Sequence, residues 1–111
     1  MVSTAAVYAE LWVSLASLLR SYTAAHGLNR DRQATVELGE ERITVRHAEK
    51  WLDLKRTGDR VNWLRENGQS GVLRLTEAGT LRSVLDAGQD AGGDEEEMDM
   101  AAEAWARELM Q

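Results

Sequence analysis

The stretch GVLRLTEAGTLRSV, Gly71 to Val84, decides the fold. It can be read as two antiparallel strands, VLRLT and TLRSV, that reverse at Glu77-Ala78-Gly79. It can also be read as one strand running into a helix after Gly79. The residues favour the hairpin: Thr80 and Val84 are β-branched, and Gly79 can take positive φ without the steric penalty a side chain brings. A bulged turn through Ala78-Gly79 is therefore predicted.

Upstream the same period of two recurs. ATVEL sets Val36 and Leu38 on one side, and RITVRH sets Ile43, Val45 and His47 on one side with Arg42, Thr44 and Arg46 on the other. KWLDLK, RVNWLRE, VLRLT and TLRSV follow, divided by GEE, RTGD, NGQSG and EAG. Gly58, Gly68 and Gly79 are ten and eleven residues apart, the spacing of strands that each turn back on the last, and Asn67-Gly68 is a strong hairpin signal. The expectation is a five- or six-stranded antiparallel meander over residues 34–84. With Ile43, Val45, Leu52, Leu54, Val61, Trp63, Leu73 and Leu75 facing the core, the alternation slips once after His47. That slip calls for a bulge or break near Ala48 to Lys50.

Helices flank this region. Ser3 or Thr4 can cap a helix over 4–26 that Gly27 ends, with Tyr8, Leu11, Trp12, Leu15, Leu18, Leu19 and Tyr22 on one face. DAGQDAGG, residues 86–93, has linker composition. Asp94 can then cap an acidic helix over 94–110 with Glu97 as its capping-box partner, and Met98, Ala101, Ala102, Trp105 and Leu109 form its apolar stripe. The fold class expected is α+β, one domain over residues 1–111: N-terminal helix, antiparallel meander, C-terminal helix.

At 111 residues a single core is the expectation, and 43% apolar residues suffice to fill one. Cysteine is absent, which excludes a disulfide framework and a thiol nucleophile and fits a reducing, cytoplasmic setting. Glu10 interrupts the apolar start of the chain, and Leu11 to Leu19 is far shorter than the roughly 18 residues a membrane span needs, so no membrane association is expected. The net charge of -6 is uneven. Residues 28–86 hold 11 Lys/Arg against 10 Asp/Glu, whereas residues 87–111 hold one Arg against eight acids. A tail of that charge repels a phosphate backbone.

LRLTEAG, Leu73 to Gly79, resembles the end of a wing in winged-helix regulators, where a strand ending Leu-Thr-x-x-Gly leads into a helix. The resemblance covers seven residues and implies a DNA-associated regulator as an alternative reading. It requires DRVNWLREN to form a recognition helix, whose basic groups would be Arg60 and Arg65 alone. Nucleic acid is therefore an unlikely partner in the meander reading.

Candidate chemistry is sparse. His26 sits where a histidine commonly caps a helix C-terminus. His47 shares no local motif with a second ligand, so a strand histidine in a pocket between helix and sheet, near Trp63, is the small-ligand alternative. No metal or other cofactor is expected, because DEEEMDM lacks the alternating ligands of a calcium loop and no phosphate-cradling glycine pattern occurs. An enzyme is disfavoured for want of a catalytic set. More informative are Trp51, Leu64 and Val72, which the core assignment turns outward, beside Arg42, Arg46, Arg74 and Arg82. The arginines could form a basic sheet face for an acidic partner, but in a nearly neutral strand region they read first as a solvated face balanced by Glu37, Glu40, Glu41 and Asp53. The apolar residues need cover by the C-terminal helix through Met98, Trp105 and Leu109, by a second copy, or by a partner. A non-enzymatic protein- or peptide-binding module, homodimeric, acting through the sheet and a mobile C-terminal helix, is the leading expectation; its contact residues are Trp51, Leu64, Val72, Arg42, Arg46, Arg74 and Trp105.

Overall fold

The computed structural model describes residues 4–27, 34–83 and 95–110 of the chain. Helix α1 runs Thr4–His26 and ends where Gly27 donates its N–H to the carbonyls of Thr23 and Ala24. Its apolar face is the expected one: Trp12, Leu15, Ala16 and Leu19 are buried, with Tyr8, Leu11, Leu18 and Tyr22 partly so. Ser3 lies outside the described residues.

Six strands follow the predicted meander: β1 Thr35–Leu38, β2 Arg42–His47, β3 Lys50–Thr57, β4 Arg60–Arg65, β5 Ser70–Leu75 and β6 Thr80–Ser83. Each pairs antiparallel with the next. The turns use positive φ at Gly58, Gly68 and Gly79, and Gly79 closes the predicted bulged turn between Thr76 and Thr80. The slip after His47 is a two-residue turn, since His47 pairs with Lys50 and Ala48 carries φ 55°. Strands also occupy the segment that a recognition helix would need, and β6 follows Gly79. The winged-helix geometry is therefore absent from these residues.

The C-terminal third differs from expectation in its strand count and its helix start. Among the described residues the sheet has seven strands, because Glu95–Glu97 forms β7 on the free edge of β6. Pairing there satisfies backbone groups that β6 would otherwise expose and sets Glu95 opposite Arg82. Helix α2 consequently starts at Met98 and ends at Leu109, not 94–110, and Glu97 precedes it in extended conformation with no side-chain cap. Asp94 and the 86–93 linker lie outside the described residues. Three exposed glutamates on a short strand also guard this edge against pairing with another chain.

The face that α2 covers, which the sequence leaves open, is the one that α1 packs on. Met98, Ala101, Ala102 and Leu109 join one core with Trp12, Leu15, Leu19, Ile43, Val45, Leu52, Leu54, Val61, Leu75 and Leu81. Both helices thus pack on the same side of the sheet, and α2 does not cover Trp51, Leu64 or Val72. The energetic reason is that the helix side of the sheet carries Ile43, Val45, Leu52, Leu54, Val61, Leu75 and Leu81, where each fully buried side chain contributes about 1.5–3 kcal/mol. The opposite row carries charges that burial would penalise.

Polar contacts lock α2 in place. Arg65, buried at 7% exposure, donates to the Glu108 carboxylate at 2.6 Å and to Glu66 at 3.2 Å. Lys50 Nζ reaches the Glu108 carbonyl at 3.4 Å, and His47 Nδ1 lies 3.1 Å from the Leu109 carbonyl. A carbonyl only accepts, so Nδ1 carries the proton. Cationic and N–H donors at a helix C-terminus satisfy carbonyls that lack intrahelical partners. At the other end Tyr22 donates to Asp99 at 2.5 Å, and His26 faces Glu103 of α2 at 3.4 Å instead of capping its own helix. Among the described residues no helix is long and apolar enough to cross a membrane.

Candidate functional site: the outer face of the sheet

Strand alternation places side chains that do not face the helices on one open surface. Register then orders them into rows. One row runs Arg60, Arg74, Arg82 and Glu95 across β4 to β7. The next runs Arg42, Lys55, Asn62 and Val72 across β2 to β5. A third runs Glu37, Thr44, Asp53, Leu64 and Ser70 across β1 to β5. Arg46 stands opposite Trp51 at the end of the β2–β3 hairpin.

The charges on this face are not balanced in the way the linear sequence implies. Asp53, 9% exposed, is taken by Arg42, which donates through Nε at 2.7 Å and Nη2 at 3.0 Å, and by the Thr44 hydroxyl at 3.2 Å. Hydrogen bonding to Asp53, and then its charge, push the Arg42 guanidinium further up from its ordinary pKa. Arg74 pairs with Asp59 at 2.7 Å. Arg46, Lys55, Arg60 and Arg82 make no ion pair among the described residues. Glu40 and Glu41 belong to the β1–β2 turn, beside Trp12 and Val13 of α1. From β2 to β6 the face therefore presents six cations against Asp53, with Asp59 at the adjoining turn.

Like charges directly opposite one another destabilise a sheet, typically by a few tenths of a kcal/mol. Arg60 against Arg74 and Arg74 against Arg82 are two such pairs in sequence. An anionic group laid across them would convert that cost into attraction.

Apolar area lies among these charges. Leu64 is 42% exposed, and Trp51 and Val72 are half-buried. Two shallow depressions flank Leu64. One, about 540 Å³, is bounded by Arg42, Arg46, Trp51 and Asp53; the other, about 330 Å³, by Lys55, Asn62, Ser70 and Val72. They share Asp53 and Leu64, so together they form a trough that crosses the strands.

Of the expected contact residues, Trp51, Leu64, Val72, Arg42, Arg46 and Arg74 share this face. Trp105 does not join them: it lies on α2 on the other side, against the core, with Trp63 and Leu73. His47 and Trp63 are not brought into one pocket either. His47 is engaged by the end of α2, whereas Trp63 lines a cleft with Trp105 near β6 and β7. Sequence reasoning missed Lys55 and Arg60, although counting by twos from Asp53 and Leu64 reaches both. Among the described residues no group of three or more His, Asp or Glu side chains is arranged to hold a metal ion. No family model, curated protein or solved structure gives a significant match to the chain.

Proposed function

We propose that the protein is a cytoplasmic, non-enzymatic interaction module that takes an acidic polypeptide onto the outer face of its sheet. The observation that supports this most directly is the abreast row Arg60, Arg74, Arg82 beside exposed Leu64 and half-buried Val72, on a face that neither helix covers. Cations supply orientation and encounter rate, and the apolar trough supplies burial. A polypeptide fits better than a nucleic acid, because sheets that bind single strands offer several aromatic platforms and Trp51 is the one aromatic on this face among the described residues. Symmetric pairing of two copies through the same face would set cation against cation, so an acidic partner is favoured over self-association.

The test uses the whole protein with a labelled extended peptide of alternating leucine and glutamate. Saturable binding is expected, weakened about tenfold or more by Leu64→Glu and by Arg60→Glu, and reduced by salt. Binding that ignores both substitutions, or a concentration-dependent dimer that Leu64→Glu dissolves in place of peptide binding, would overturn the proposal. Tighter, salt-sensitive binding of duplex DNA would move the assignment to nucleic acid.

A further inference from the structure

The cleft on the helix side of the sheet has a chemistry unlike the trough. Its volume is about 190 Å³. Drug-sized ligands occupy pockets of about 300–1,000 Å³, so this one suits a small head group. Trp63 lines it from β4 and Trp105 from α2, with Leu73 and buried Leu81 in the sheet between β4 and β7. Two indoles thus border one small space from two different elements.

The remaining polar groups are Ser83 and Glu96. Register explains why Glu96 is there: it pairs with Leu81, whose side chain enters the core, whereas Glu95 and Glu97 pair with Arg82 and Thr80. Alternation therefore turns one of the three β7 glutamates toward α2 and the other two away. Glu96 is exposed, and its carboxylate has no ion pair or hydrogen bond among the described residues. An anionic guest, or a neutral one without a hydrogen-bond donor, would desolvate that carboxylate without compensation. An organic cation offers a counter-charge, and its alkyl groups match the indole faces through cation–π attraction.

From this geometry we infer a binding site for an alkylated ammonium group, held between Trp63 and Trp105 with Glu96 as counter-ion. The shared chemistry is a trimethylammonium head, whether on a free small molecule such as choline or on a trimethylated lysine side chain. The inference is independent of the outer-face proposal, since none of Trp51, Arg60, Leu64, Val72, Arg74 and Arg82 lines this cleft; Trp63 borders both spaces.

The experiment follows the four indole N–H resonances of the full chain while choline is added. Saturable shifts are expected for Trp63 and Trp105 and not for Trp12 or Trp51. The uncharged isostere, with carbon in place of the ammonium nitrogen, is expected to bind about tenfold more weakly. Glu96→Gln, on an exposed strand, is expected to lower choline affinity about fivefold while leaving the isostere and the melting temperature unchanged. A second arm compares a trimethyllysine peptide with its unmethylated form: preference for the methylated peptide over choline identifies a protein-borne ligand, and the reverse a free metabolite. Equal binding of choline and its isostere, indifference to Glu96→Gln, or no saturable shift at either indole would overturn the inference.

Discussion

Trp63 lies over Gly71, its register partner on β5: a Cβ built on Gly71 would stand 2.6 Å from the indole Nε1 and 2.9 Å from Cε2. No real Cβ tolerates that approach, so the glycine is dictated by the ring above it, and the ring in turn shields a strand position that has no side chain of its own. Gly71→Ala is expected to cost about 1–3 kcal/mol in urea unfolding, because the indole must leave its place. In a Trp63→Leu background the same change is expected to be near neutral or stabilising, since alanine restricts the unfolded chain. Equal costs in both backgrounds would disprove the packing account.

The Arg65–Glu108 pair leads to a second expectation. Arg65 is held between β4 and α2 with 8% of its side chain exposed, whereas Glu108 is 56% exposed. Removing the acid strands part of a buried cation; removing the cation leaves a carboxylate that water can reach. Glu108→Ala is expected to cost about 1.5–3 kcal/mol at neutral pH, as for hydrogen bonds to charged groups, with Glu66 limiting the loss. Arg65→Met, which replaces the buried charge by an apolar chain of similar reach, is expected to cost less, and to recover stability when made on top of Glu108→Ala. Denaturant midpoints of the four proteins complete the cycle.

How far these relationships could be read in advance varies along the chain. The α1 face and the alternation through β2 to β5 were legible because Leu15, Ile43, Val45, Leu52 and Val61 are apolar at the spacing their element requires. Three of the turns carry the glycine that positive φ favours. The Ala48-Glu49 turn carries none, so a tight reversal looked like a bulge. Glu95–Glu97 has a composition that suits a helix start far better than a strand; its conformation is decided by the open edge of β6, a partner distant in sequence. The side of the sheet that α2 covers was hidden for a related reason. Met98 and Leu109 form a stripe that would fit either face, and the choice rests on the charges of the opposite face together with the clamp from His47, Lys50 and Arg65. Of the outer face, Trp51, Leu64 and Val72 were visible as misfits to the core pattern. The three-arginine row was visible only in part: Arg74 and Arg82 alternate outward in the sequence, whereas Arg60 joins them through register.

Ala48 allows a direct measurement of what that glycine-free turn costs. Its φ of 55° places a side chain in the left-handed region, at about 1–2 kcal/mol, while glycine there costs about 0.5–1 kcal/mol in added freedom of the unfolded chain. Ala48→Gly is therefore expected to stabilise by about 0.5–1 kcal/mol, visible as a rise of a few degrees in melting temperature. An unchanged or lower melting temperature would show that the turn is already relaxed. Because Ala48 is exposed, no packing change competes with the backbone term.

Tyr22 couples α1 to α2 in a way that alkaline pH should expose. Its hydroxyl donates to Asp99 at 2.5 Å, and the pKa is raised first by that hydrogen bond, then by desolvation and by the charges of Asp99 and Glu103. A group whose folded pKa exceeds its unfolded value of about 10 binds its proton more tightly in the folded state. The stabilisation is then complete below the unfolded pKa and is lost as pH rises through the folded one. Ionisation would also place a phenolate against the Asp99 carboxylate, with Glu103 close behind. Melting temperature is thus expected to fall more steeply above pH 10 in the wild-type protein than in Tyr22→Phe, with the two curves parallel between pH 7 and 9. The amplitude is modest, since the pair is open to solvent. Parallel curves through pH 11 would remove the proposed link between the phenol and α2.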